Sequence, residues 1–364
     1  MDIQHSRSLG PFGIYVHLPF CRVHCSYCPF VVSTKVQQQD RYTDALLREI
    51  DGWAGRESVD TIFFGGGTPS RTSIENLARI VARLRERFDV AADAEFSLEA
   101  NPEDITPDAL AAWRALGVNR VSVGVQSFHE EELRPLGRVH GPQRARDAIR
   151  DAVASGARTS LDLILGLPYQ TAESFRVTLE TAIDSGAGHL SLYMLDLEEG
   201  TALERQVASG TIVLPDDELV ASLYAEAVER LEAAGLHQYE ISNFGDPCRH
   251  NLRYWRREEY LGFGAGAHSF VGNRRFANSK NVDGWETDFA ETLSDADVRR
   301  ETIFLRLRQT SGIDYDDVVR LCGAGGTEWM ERGLSDGWLR REGGRVAFTS
   351  AGFLLSNDYI SQLF

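Results

Sequence analysis

No stretch of this chain approaches the roughly 18 consecutive apolar residues that a membrane-spanning helix needs, so no spanning segment is expected. The opening residues, MDIQHSRSLGPFG, lack an apolar h-region, and a secretory leader is not expected either. Positive charge is in deficit. Lys and Arg number 38 against 54 Asp and Glu, for a formal net charge of −16. A nucleic-acid binder wants a basic footprint, so no nucleic-acid partner is expected. The Gly65-Gly66-Gly67 run is not G-x-G-x-x-G and does not suggest a nucleotide-diphosphate fold. No internal repeat is visible beyond a recurring strand–helix unit. Cysteine is scarce, at 5 residues, and Cys248 and Cys322 lie far apart in sequence, so no disulfide framework is suggested. The other three are clustered and need reducing surroundings. Together these absences describe a cytoplasmic protein that is oxygen-sensitive in its active form.

What is present is a stretch from Tyr15 to Phe30, YVHLPFCRVHCSYCPF. It sets Cys21, Cys25 and Cys28 in a C-x3-C-x2-C array. Three adjacent thiolates repel one another and each must be satisfied, which makes a metal site the natural reading. Zinc usually takes four protein ligands, and here His17 or His24 would have to complete the set. Three unrelated thiols are a further alternative. The reading favoured is an iron–sulfur cubane with one iron left open for a small-molecule ligand.

At 364 residues the chain has room for one large domain and a smaller one. Its first two-thirds alternates apolar runs with helical patterns. Strands are expected at Gly13–Phe20, Thr61–Gly66, Glu95–Ala100, Arg120–Gln126, Thr159–Gly166 and His189–Leu195. Helices are expected at Gln39–Trp53, Ser73–Phe88, Pro107–Leu116, Pro142–Ser155, Thr171–Ser185 and Asp216–Ala234. Continuous apolar strands between helices argue for a covered parallel sheet. Thr106-Pro107 supplies an N-cap oxygen and a Pro at the first helical position. The cysteine loop, Gly65-Gly66-Gly67-Thr68, Glu99 and Gln126 all fall at successive strand ends. That favours a partial (βα)6 TIM-like barrel over a doubly wound sheet. The expected domains are 1–235 for the barrel and 236–364 for a smaller, mainly helical C-terminal domain. Residues 251–270 read as loop. Ala296–Gln309, Val318–Leu321, Glu328–Gly333 and Ala351–Leu363 read as helical. A wing-like hairpin is expected to turn at Gly343-Gly344.

The C-x3-C-x2-C array, with Tyr27 before its third Cys, resembles the signature of the radical S-adenosylmethionine (SAM) superfamily. The preceding Y-x-H-x-P-F-C resembles the branch of oxygen-independent coproporphyrinogen III oxidase. The run HNLRYW, His250 to Trp255, is closest to the haem-binding signature of the HemW chaperone family. This resemblance implies a [4Fe-4S] cluster on Cys21, Cys25 and Cys28, with SAM chelating the open iron. It places Gly66, Gly67 and Thr68 at the methionyl amino group, and Glu99 near the ribose or amino group. A carboxylate that accepts from hydroxyls or an ammonium suits that position. Gln126 and Arg138 match further SAM contacts, and the Arg138 fork suits the SAM carboxylate. Asp162 is placed at the adenosyl ribose; an Asp in so apolar a strand is costly unless satisfied. Tyr15 and Tyr27 match aromatics beside the cluster and adenine.

His250 is the implied haem ligand, with Tyr254 and Trp255 able to cover a porphyrin face. Cys248 is the competing thiolate, and His268 is read as structural or substrate-facing. Coproporphyrinogen dehydrogenase carries a further Cys where this chain has Phe30, and a longer N-terminal extension. HemW proteins usually carry Asp where this chain has Pro29. The resemblance implies a haem chaperone rather than that dehydrogenase. It would pass haem to respiratory or other membrane haem proteins and bacterioferritin, working in the cytoplasm and peripherally at the inner membrane. Dimerisation is implied too, and SAM need not be consumed at enzymatic rates. The alternative is a class C radical SAM methyltransferase or cyclopropanase using two SAM molecules.

Overall fold

The computed structural model describes residues 10–363, so most of the N-terminal stretch read for a leader lies outside the described residues. The chain forms two compact units. One holds the residues through Asp216 together with Glu259–Thr292; the other holds Asp217–Glu258 and Leu293–Phe364. The chain therefore passes between the units three times, where the sequence reading places one boundary after residue 235.

The first unit is a partial (βα)6 barrel. Its strands are β1 (Phe12–Leu18), β2 (Ser58–Gly66), β3 (Asp89–Ala100), β4 (Arg120–Gln126), β5 (Arg158–Leu165) and β6 (His189–Met194). They pair in parallel in chain order, as Tyr15 with Phe63, Phe63 with Ser97, Leu98 with Val121, Val123 with Leu161 and Leu161 with Leu190. β1 is buried at six of its seven positions, because its strand is covered on both faces. The helices between strands begin where the sequence supplies caps. Ser73 accepts from Asn76 N at the head of Ile74–Arg87, whose buried stripe is Leu77, Ile80, Val81 and Leu84. Thr106 caps Pro107–Leu116, which ends at Gly117 with φ 104°.

The stretch 251–270 is not the loop its composition suggests. It contains a helix, Arg249–Trp255, and two strands, Tyr260–Phe263 and His268–Val271. Tyr260–Phe263 pairs in parallel with β1 on the side away from β2. Two further antiparallel strands, Arg274–Asn278 and Thr287–Thr292, extend that edge. The glycines here serve close approach. A Cβ on Gly264, whose φ is +103°, would lie 2.6 Å from the Tyr42 hydroxyl. Glu49 fastens the segment by accepting from Gly264 N at 2.8 Å and Trp285 Nε1 at 2.7 Å.

The second unit is mainly helical. Asp217–Ala233, Asp295–Leu307 and Tyr315–Ser335 are its long helices, the last broken at Gly323 (φ 63°, ψ −145°). The two helix pieces expected at Val318–Leu321 and Glu328–Gly333 are the two sides of that break. The hairpin pairs Leu339–Glu342 with Arg345–Phe348. Gly343 (φ 53°) and Gly344 (φ 84°) supply the positive φ its tight turn requires. The expected closing helix is two short ones, Ser350–Leu354 and Ser356–Ser361. Trp329 and Tyr359 lock the core together. Trp329 Nε1 donates to the Tyr359 carbonyl at 2.8 Å, and the Tyr359 hydroxyl donates to the Trp329 carbonyl at 2.6 Å. Among the described residues, no helix is long and apolar enough to cross a membrane.

Candidate cluster and cofactor site

The cysteine loop leaves the C-terminal end of β1 and is tied down along its length. Cys21 N donates to Ser33 O at 3.0 Å, and Ser33 N donates to Pro19 O at 2.7 Å. Ser26 bonds the Leu136 and Pro135 carbonyls through its N–H and hydroxyl. Beneath the loop, His17 is buried and its Nε2 lies 2.8 Å from Val31 O. A carbonyl only accepts, so Nε2 carries the proton, and Nδ1 accepts from the Tyr15 hydroxyl at 3.1 Å. Burial lowers the pKa of His17, which favours this neutral form.

At the strand ends lies a cavity of about 440 Å³. Cys21, Cys25, Cys28 and Tyr27 line it from the loop. Gly66, Gly67 and Thr68 line it after β2, Glu99 from β3, Gln126 from β4, Arg138 from the segment after β4, and Asp162 from β5. Two expected residues are elsewhere. Tyr15 does not line the cavity; it stacks on Phe63 with ring centroids 6.2 Å apart. His250 belongs to the second unit.

Burial pushes the Cys21 thiol up to about 11, partly offset by Thr68 Oγ1 donating to its sulfur at 3.3 Å. Burial raises Cys28 as well. Uncomplexed, these two thiols stay protonated at neutral pH, and a cation is what would convert them to thiolates. Arg138 Nη1 lies 3.9 Å from Cys25 Sγ. Among the described residues, no three Cys, His, Asp or Glu side chains converge as one metal ion would require. A cubane asks for something different, since it takes each thiolate on a separate iron. Three soft donors around one cavity fit that group.

The polar wall is built by neighbouring strands. Glu99 accepts from Gly66 N at 3.1 Å. Asp162 accepts from Ser122 Oγ at 3.1 Å and from Ser191, the residue level with it on β6. Arg138 Nη2 donates to Asn101 Oδ1 at 2.7 Å and to Gly124 O at 2.6 Å, while its buried Nε makes no hydrogen bond. An unsatisfied buried donor beside two carboxyl groups suits a ligand carrying both charges. Gln126 has φ +68° where β4 slips register against β5. Strain of this kind in a non-glycine residue aims a side chain at a cost of about 1–3 kcal/mol. Asn101, Ser122 and Ser191 were missed from the sequence. Asn101 stands two residues after Glu99 in EANP, and Ser122 and Ser191 are polar interruptions of apolar strands, which is the signal that would have found them.

Glu99 sits with Asp162 in a low-dielectric wall, and burial, then repulsion from Asp162, raise its pKa from 4.5 to about 8. The folded state thus holds this proton more tightly than the unfolded chain. The associated stability is fully present below about pH 4.5 and is lost as pH rises to about 8. The cofactor-free protein is expected to lose denaturant resistance across that window. Glu99→Gln, which keeps an acceptor for Gly66 N, is expected to flatten the profile, as denaturation at a series of pH values would show.

In the second unit, His250 is fully buried, and its Nε2 lies 2.8 Å from the Tyr254 hydroxyl. Burial, with Arg253 nearby, lowers its pKa to about 3. Cys248 is also buried, and His268 is exposed at the start of its strand.

The Radical SAM superfamily model matches residues 15–182. The heme chaperone HemW of Mycobacterium tuberculosis strain H37Rv is 38% identical over 97% of this chain and 95% of its own length. This chain belongs to the HemW family. The HemW protein of Escherichia coli K12 is 41% identical over 72% of this chain and 71% of its own. The solved structure of coproporphyrinogen III oxidase (HemN) from E. coli, a radical SAM enzyme, matches with a TM-score of 0.83 at 26% identity. That match covers 97% of this chain and 90% of that one. HemW membership within the HemW/HemN branch carries a chaperone role of the HemW type in general. It also accounts for the architecture, a partial barrel followed by a helical C-terminal region.

Proposed function

We propose that this protein is a haem chaperone that holds a [4Fe-4S] cluster and SAM in the barrel and delivers haem to client haem proteins. The observation that supports this most is the shared cavity. Three thiols, a carboxyl pair and an arginine with a free donor meet at the strand ends of a HemW-type barrel. Cys21, Cys25 and Cys28 would hold the cluster, which would supply an open iron for SAM to chelate. The Gly66–Gly67 edge and Glu99 suit the amino group, Arg138 the carboxylate, and Asp162 the ribose hydroxyls. Gln126 and Tyr27 complete the walls. Tyr15 acts from behind, through His17. One SAM suits a cavity of about 440 Å³, which is toward the small end of ligand sites.

Phe30, standing where the coproporphyrinogen enzyme carries a further Cys, disfavours porphyrinogen decarboxylation. Haem ligation by His250 requires the imidazole to leave its packing against Tyr254, so the 250–255 segment is proposed as a haem site of an opened helix. Respiratory and other membrane haem proteins and bacterioferritin are the proposed clients, met in the cytoplasm and peripherally at the inner membrane. A homodimer is the proposed assembly.

Two measurements test this reading. Haem titration of the purified chain is expected to shift the Soret band; no shift at any haem concentration would sink the chaperone. SAM affinity of the cluster-loaded protein is expected to fall in Glu99→Gln, whose neutral amide accepts less strongly from the amino group than a carboxylate does. If the reduced protein instead methylates a small aromatic substrate and consumes two SAM, the methyltransferase reading replaces it.

A further inference from the structure

The mouth of the barrel cavity is apolar in a way its interior is not. Val23, Phe30, Val139, Tyr193 and Met194 line the cavity, and all five are exposed. Phe30 is 63% exposed and Met194 39%. Single exposed apolar side chains are ordinary, but five on one rim form a patch of the kind that marks a binding site. Met194 is distinctive among them. Met330 is fully buried, so Met194 is the one exposed methionine among the described residues. It ends β6, whose first four residues are buried and whose last two, Tyr193 and Met194, turn outward. A thioether is a soft donor, and methionine is an established axial ligand of haem iron.

Charge on the rim is also placed. Arg22 is exposed there and makes no hydrogen bond or ion pair among the described residues. Asp196 and Glu198 line the same cavity. A ligand with an apolar plane and an acidic edge would turn that edge toward Arg22 and away from these two carboxylates. An iron centre would add a reason for the thioether. By contrast, the imidazole of His250 is closed off.

We infer that haem docks on this rim, with Met194 as an axial iron ligand. Phe30, Val139 and Tyr193 lie against the macrocycle, and Arg22 pairs with a propionate. The inference rests on the haem-chaperone reading and makes the rim, rather than the opened 250–255 helix, the site that haem meets while His250 stays packed on Tyr254. The thioether lone pair replaces a water on the iron, and no electron or proton is transferred.

The test is a haem titration of the full-length chain, comparing wild type with Met194→Leu, Phe30→Ala, Arg22→Gln and His250→Ala, each first checked for an unchanged melting midpoint. Met194→Leu is expected to bind about tenfold more weakly, with a shift of the bound haem toward high spin. Phe30→Ala is expected to weaken binding without changing the ligand-field spectrum. Arg22→Gln is expected to weaken binding of haem but not of haem dimethyl ester, which lacks the acidic edge. Wild-type affinity and spectrum in Met194→Leu, with loss in His250→Ala, would overturn the rim site and leave the chaperone standing. No haem binding by wild type would overturn both.

Discussion

Cys28→Ser is expected to reduce iron retained after anaerobic reconstitution from about four atoms per chain to below about one. A cubane with one corner given to a small molecule has three protein ligands and no spare. The hydroxyl of serine is a hard, weakly acidic donor and a poor substitute for a thiolate on iron. Neighbouring groups do not compensate. Thr68 already donates to Cys21, and His24 Nε2 already bonds the Cys28 carbonyl at 3.1 Å. Burial raises the free Cys28 thiol, so the wild-type apo protein gains nothing electrostatic from that sulfur until a cation arrives. Cys28→Ser should therefore change apo stability little while abolishing the cluster, which separates a ligand defect from misfolding. Cys322→Ser, in the second unit, is the matched control and should load iron as wild type does. Iron and acid-labile sulfide analysis, with the visible charge-transfer band, reads the result. Full iron in Cys28→Ser would show the ligand set to be wrong.

Gly66→Ala is expected to destabilise the apo protein by about 3 kcal/mol and to impair cluster loading as well. Two independent costs meet at this position. Its φ of +110° is one that L-residues rarely adopt, and an added Cβ would stand 2.5 Å from the His17 ring. The ring cannot retreat freely. Its Nε2 is held by the Val31 carbonyl and its Nδ1 by the Tyr15 hydroxyl. Moving it displaces the return of the cysteine loop, and moving Gly66 instead breaks the bond from its N–H to Glu99. Gly188→Ala is the control. Gly188 is exposed, with nothing within 4 Å of a built Cβ, and its change should stay within about 0.5 kcal/mol. Urea denaturation of both variants measures the difference.

The barrel was legible because its evidence is local. Covered parallel strands are largely apolar, and the glycines, Glu99 and Gln126 that break the pattern fall where the strands end, while Asp162 interrupts β5 from within. The cysteine array was legible because three thiols at short spacing have few explanations. The strand Tyr260–Phe263 was not, since it pairs with a strand some 250 residues earlier, and such pairing leaves no local periodicity. Its glycines look like loop punctuation but serve close packing. Tyr15 stands behind the cavity wall for a related reason. Its strand position was right, but which of two covered faces it occupies depends on register with Phe63 and His17. The burial of His250 was equally hidden, because a seven-residue helix shows too little of its period to mark an inner face.

The central claim is that three thiols leave one iron open beside a wall built for SAM. Electron paramagnetic resonance of the reduced, reconstituted protein with and without SAM tests it most directly. The account predicts about four irons per chain and a cluster signal that changes when SAM is added, with the change weakened in Arg138→Leu. Stoichiometric zinc in place of iron, or a cluster signal indifferent to SAM, would contradict it.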